Sequence, residues 1–157
     1  EILARYGDGG AAVVRNRYGM GMAVSFGFYA GLEYAADILR PDYDTSVHFT
    51  PLKRRLLESV LQQAGIVRPL EISHPLVEGL RLRHPRTGEE TIVLMNWSYR
   101  GREGVPLNNV ELCWHGERSV SRVKSTWFQE WRQAERQGDD YRLVLPRLED
   151  GDILIVE

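Results

Sequence analysis

Two glycine-bearing turns divide the first 28 residues into three short runs, a spacing that admits little besides antiparallel strands. Glu1-Ile2-Leu3 begins the first run, the turn Asp8-Gly9-Gly10 follows, and Ala11-Ala12-Val13-Val14 makes the second. The turn Tyr18-Gly19-Met20-Gly21 then leads into Met22-Ala23-Val24-Ser25-Phe26. Glycine supplies the positive φ that tight hairpin turns demand. A hairpin of this size is marginal on its own in water, so these strands need partners. The chain also opens on Glu1 with no initiator Met. The expectation is the back end of a larger domain with a truncated N-terminus.

Helical spacing appears twice after the hairpin. Tyr29 to Leu39 carries Leu32, Ala35, Ala36 and Leu39 at helical intervals, with Pro41 to end it and a polar loop over 42–49. The stronger helix has Thr50 as cap, Pro51 at its first position and Gly65 at its end. Leu52, Leu56, Leu57, Val60, Leu61 and Ala64 share one face, which predicts that this helix covers the preceding hairpin. Ile66-Val67-Arg68-Pro69 reads as a linker.

Beyond it the pattern changes to strands at Val77 to Arg83, Thr91 to Asn96, Asn109 to Trp114, Ser119 to Lys124, Arg142 to Leu145 and Asp152 to Val156. His84 to Glu89 is a turn. Short strands at this spacing indicate an antiparallel sandwich. Trp127 to Gln137 fits a helix, with Thr126 and Gln129 as a capping box, and also fits a strand; its flanking strands favour the strand. Arg81 and Arg83 alternate with Leu80 and Leu82, placing the arginines on a solvent face. The fold class is therefore α+β and mostly β: a partial α/β element of hairpin, strand and helix over 1–68, then a small antiparallel β-sandwich over 69–157.

A length of 157 residues with 43% hydrophobic and 27% charged content suits one or two small domains with a core. Twenty basic residues against 22 acidic ones leave a formal charge of −2, which gives no case for a nucleic-acid partner. No apolar run approaches the roughly 18 to 20 residues of a membrane span, so no membrane partner is expected. Localisation stays open, with the cytoplasm slightly favoured. The single cysteine, Cys113, excludes an intrachain disulfide and reads as a buried, inert thiol in the run Val110 to Trp114.

Catalysis needs convergent groups, and the sequence offers none. His48, His74, His84 and His115 show no metal-ligand spacing, so no metal or cofactor is expected. Asp8, Glu58, Glu78, Glu117, Asp139, Asp140 and Asp150 lie in turns, on the helix or beside strands, where carboxylates are solvated by default. Gly19-Met20-Gly21 lacks the third glycine and the following helix of a dinucleotide site. Asn96-Trp97-Ser98 has the form of a glycosylation sequon. Trp97, Trp114, Trp127 and Trp131 all fall in the β-rich half. Trp114 is expected in the core, whereas Trp97, Tyr99 and Trp131 are the candidates for stacking on a sugar face.

The run Ala4 to Gly21, ARYGDGGAAVVRNRYGMG, resembles the end of the amidotransferase-like domain that follows the barrel in trimerising bacterial β-galactosidases. That family carries DG-x-A-hydrophobic-x-x-x-x-YGKG and then a G-T/F-x-x-G turn. Phe26 to Gly31 sits where that turn falls, and Met20 stands in place of the usual Lys. Val77 to Arg81, Ile92 to Trp97 and Leu145 to Leu154 are similar to elements of the small β domain that closes those enzymes.

The resemblance spans nearly the whole chain and implies a non-catalytic role, because the family's catalytic glutamates lie on a (β/α)₈ barrel of at least about 200 residues. It further implies packing against the rest of a parent enzyme, or subunit association. Two other classes stand beside it. One is a carbohydrate-binding module using Trp97, Tyr99 and Trp131. The other is a free-standing interaction domain that dimerises through an open sheet edge.

Overall fold

The computed structural model describes residues 1–36, 44–45, 51–116 and 122–157. Leu39, Pro41, the loop over 42–43 and 46–49, the Thr50 cap, His48, Glu117 and the start of the Ser119 strand lie outside them. The chain forms two compact units: 1–40 with 50–67, and 41–49 with 68–157. Most of it is β-structure in several antiparallel sheets, with two helices described.

In the first unit β1 (Ile2–Arg5), β2 (Ala11–Tyr18) and β3 (Gly21–Phe26) make a three-stranded antiparallel sheet in sequence order. Gly9 and Gly19 take positive φ at the two turns, as their spacing requires. Two helices follow, α1 (Ala30–Ala35) and α2 (Pro51–Gln63). Gly65, at φ +69°, ends α2 in a Schellman arrangement: Ile66 N donates to Leu61 O and Gly65 N to Gln62 O. Arg15 of β2 donates to Gln63 Oε1 at 2.9 Å, and Lys53 Nζ to Glu33 O at 2.7 Å.

The expected burial of the α2 apolar face is not met. Leu57 and Val60 are half-buried, but Leu52, Leu56 and Leu61 are exposed. Among the described residues of this unit, Ala12 and Val13 are the buried hydrophobics.

The second unit holds β4 (Glu71–Ile72), β5 (Val77–Arg83), β6 (Glu90–Asn96), β7 (Tyr99–Arg100), β8 (Glu103–Gly104), β9 (Leu107–His115), β10 (Val123–Ser125), β11 (Trp131–Arg132), β12 (Glu135–Gln137), β13 (Asp140–Leu148) and β14 (Gly151–Val156). One sheet has the order β11-β10-β14-β6-β5 and the other β12-β13-β9-β4, while β7 and β8 form a small ribbon. Alternate residues from both large sheets face inward. Ile92, Leu94, Val123, Leu154 and Val156 meet Leu107, Val110, Leu112, Trp114, Tyr141, Leu143, Leu145 and Leu148 in one core. This is a β-sandwich.

The ambiguous 127–137 segment resolves into a bend at 126–128 followed by β11 and β12, with no helix. In place of a capping box, Gln129 Nε2 donates to Thr126 O at 3.0 Å.

Two readings of side-chain direction are reversed. On β5 the inward positions are Val77, Gly79 and Arg81, while Leu80 and Leu82 face solvent. Arg81 has a carboxylate to meet there: it binds Glu90 through both carboxylate oxygens at 2.8 Å and donates to His115 O at 2.6 Å. Cys113 is half-buried rather than buried, because β9 turns Leu112 and Trp114 inward and Cys113 outward. Burial, with Asp140, Glu71 and Glu111 nearby, still raises its thiol pKa, which keeps it an inert thiol.

Candidate functional site

Asn96 ends β6 and organises the turn that carries Trp97. Its Nδ2 donates to Val105 O and Glu149 O, both at 2.9 Å, and its Oδ1 accepts from Ser98 N. The amide that a glycan would need is thus committed to the backbone. Trp97 is exposed, and its indole Nε1 donates to Glu78 Oε2 at 3.0 Å. Tyr99 is half-buried on β7, where Thr45 brackets it. Tyr99 N donates to Thr45 Oγ1 at 2.7 Å, and Thr45 N donates to Tyr99 O at 2.8 Å.

Trp131 lies on the edge strand β11, on the outer face of the five-stranded sheet. The Arg122 guanidinium sits 4.4 Å from its ring centre and the Lys124 ammonium 5.9 Å. The register runs from Trp131 to Lys124, Ile155 and Thr91, three strands across and six residues along from Trp97. Strand spacing puts that separation on the order of 20 Å. Trp97 and Tyr99 are neighbours, and Trp131 does not join them in one platform.

Sequence reasoning passed over Trp127, which is exposed on the bend between β10 and β11. The buried Asp152 carboxylate holds that bend. It accepts from Ser125 Oγ at 2.5 Å, Thr126 Oγ1 at 3.1 Å and Ile153 N at 2.8 Å. Ser125 Oγ in turn accepts from Trp127 N and Phe128 N. Ser125 and Asp152 stand 27 residues apart, so no local pattern reveals the pair. Trp114 is in the core as expected, stacked on Tyr141 with ring centres 5.9 Å apart.

Groups suited to catalysis do not converge among the described residues. No cluster of three or more His, Cys, Asp or Glu there could hold a metal. His74 and His84 accept local backbone N–H bonds at Nδ1, and His115 Nδ1 lies 3.2 Å from Asp140 Oδ1 with both groups exposed. A cleft of about 580 Å³ in the first unit is lined by Arg17, Met20, Met22, Val60, Gln63 and Ala64, with no carboxylate. A groove of about 190 Å³ in the second has one, Glu135, beside Arg132 and Arg142. Neither holds the facing pair of carboxyl groups that glycoside hydrolysis needs.

No family model matches this chain, and no curated protein matches it. Among solved structures the chain is similar to the α-L-fucosidase isoenzyme 2 from Paenibacillus thiaminolyticus, at 18% identity and a TM-score of 0.61. The match covers 95% of this chain and 22% of that one. The chain therefore shares the fold of a minor part of a glycoside hydrolase, and this likeness is to a fucosidase rather than to a β-galactosidase.

Proposed function

We propose that the chain is a non-catalytic, structural region of a glycoside hydrolase, closing or bracing a catalytic domain that lies elsewhere. The fold likeness carries the reading: nearly the whole chain matches about a fifth of a glycoside hydrolase. The described cavities agree, since neither presents paired carboxylates. On this reading residues 1–68 are the end of an amidotransferase-like α/β domain and 69–157 the closing β domain. The parent is β-galactosidase-like by its sequence motifs, and its partners are the rest of that enzyme or further copies of the chain. The test is hydrolysis of chromogenic galactosides and fucosides by the purified chain. No turnover is expected, and turnover abolished by Glu135→Gln or Asp140→Asn would overturn the proposal.

A second reading, a carbohydrate-binding module, is favoured by the exposure of Trp97 and Trp131. It predicts retardation in affinity gels containing polysaccharide, lost in Trp97→Ala or Trp131→Ala.

A further inference from the structure

Across β14, β6 and β5 the outer face of the five-stranded sheet is largely apolar. The core-facing sides of β6 and β14 already meet the opposite sheet, yet both strands are apolar on the other side too. Leu80 and Leu82 of β5, Met95 of β6, and Ile153 and Ile155 of β14 are each between 42% and 56% exposed. The register makes them one grid with Val93 at its middle: Leu80 pairs with Val93, Val93 with Ile153, and Leu82 and Ile155 both pair with Thr91. Strands apolar on both faces belong to sheets covered on both faces.

Charge sits at two opposite corners of this grid. Lys124 pairs with Ile155 at one corner, and Glu78 pairs with Met95 at the other. No ion pair among the described residues involves either. The midpoint of the Lys124–Glu78 diagonal falls between Ile153 and Val93, at the centre of the aliphatic grid. A two-fold axis lying in the face through that point, at right angles to the diagonal, exchanges the corners. It sets each Lys124 over the partner's Glu78 and lays the aliphatic strands of the two copies across each other at close to a right angle. We infer that this face is the docking surface for a second copy of the chain, in a face-to-face, two-fold dimer. The inference stands on the sheet geometry and is independent of the glycoside-hydrolase reading. Strand and residue spacings give the grid about 400 Å² per copy, roughly half the area of a standard interface. The dimer is accordingly weak and concentration-dependent.

Sedimentation velocity over a roughly hundredfold dilution series tests this. The expected result is a monomer–dimer equilibrium shifted at least about tenfold toward monomer by Lys124→Glu alone and by Glu78→Lys alone, each of which sets like charges over each other. The double exchange, Lys124→Glu with Glu78→Lys, restores association. Near the axis Ile153 meets its own copy, so Ile153→Cys forms a disulfide dimer under mild oxidation, while the wild-type chain with Cys113 alone does not. A monomer at all concentrations would overturn the inference and leave the face to a different protein partner. Association untouched by either single exchange, or a trimer, would overturn it by placing the contact elsewhere, the β3 edge included.

Discussion

At the scale of single residues, the sandwich is fixed by polar groups that a hydrophobic pattern cannot reveal. Arg81 and Glu90 form an ion pair with side chains 16% and 8% exposed, inside a sheet otherwise lined by aliphatics. Removing one partner strands the other charge, so Arg81→Leu is expected to cost about 3 to 5 kcal/mol in urea unfolding. Arg81→Leu with Glu90→Leu should recover most of that loss; a double variant as unstable as the single one would refute this account. Asp152→Asn keeps the shape but turns an acceptor of several N–H and O–H bonds into a partial donor, at an expected cost of about 2 to 3 kcal/mol. The Glu111–Arg142 pair behaves differently because it lies on the outer face of the other sheet, partly in water. Its hydrogen bond from Arg142 holds the Glu111 carboxyl below its usual pKa. That small stabilisation is present above the unfolded-state pKa and disappears as pH falls through the lower folded value. Glu111→Gln should therefore lower Tm slightly at about pH 7 and not at about pH 3.

Among the elements, what the sequence made legible follows from how local each signal is. The hairpin turns at Gly9 and Gly19, the helix stop at Gly65 and the long strands β6, β9, β13 and β14 depend on neighbouring residues, and pattern reading finds them. The two-residue strands β4, β7, β8 and β11 exist only through distant partners, as in the pairing of Glu71 with Cys113, and no local run announces them. The direction of β5 was misread for a related reason. Its alternation was clear, but which side faced the core depended on Gly79 and on Glu90 across the ladder. A Cβ on Gly79 would lie 2.5 Å from Ile72 Cδ1 and 2.6 Å from Leu70 Cδ2, so Gly79 is where β5 lies closest to the core. Gly151 is tighter in kind: its Cβ would lie 2.7 Å from the backbone oxygen of Leu94. Side-chain ends can rotate away and a strand carbonyl cannot. Gly151→Ala should thus cost about 2 to 3 kcal/mol, and Gly79→Ala measurably less. Equal losses in urea titration would show that β14 shifts to accommodate the methyl. Of the candidate site, Trp97 and Tyr99 were legible as a polar, aromatic turn. Trp127 was not, since its presentation depends on Asp152.

For the molecule as a whole, the two units differ in how much apolar surface each buries by itself. Among the described residues, fifteen buried hydrophobics form the sandwich core, whereas Ala12 and Val13 are the buried hydrophobics of the first unit. Burial of apolar area is the main favourable term in folding, so the first unit has little to set against its conformational entropy. The strap residues Asp44 and Thr45 belong with the second unit. There Asp44 pairs with Arg100 and Thr45, fully buried, bonds both to and from the backbone of Tyr99. The first unit's sequence is thus interrupted by a segment fixed in the more stable body. Native-state hydrogen exchange on the intact chain should then show two levels of protection. Amides of β2 and β3 should exchange through local opening, at least about a hundredfold faster than those paired between β9 and β13. Thr45→Ala should speed exchange at Tyr99, whose amide donates to the Thr45 hydroxyl, and leave β13 unchanged. If β2 and β13 exchanged with one common free energy, the first unit would be as stable as the sandwich. Its exposed leucines on α2 would then have to be covered in solution by a surface that the isolated chain itself supplies.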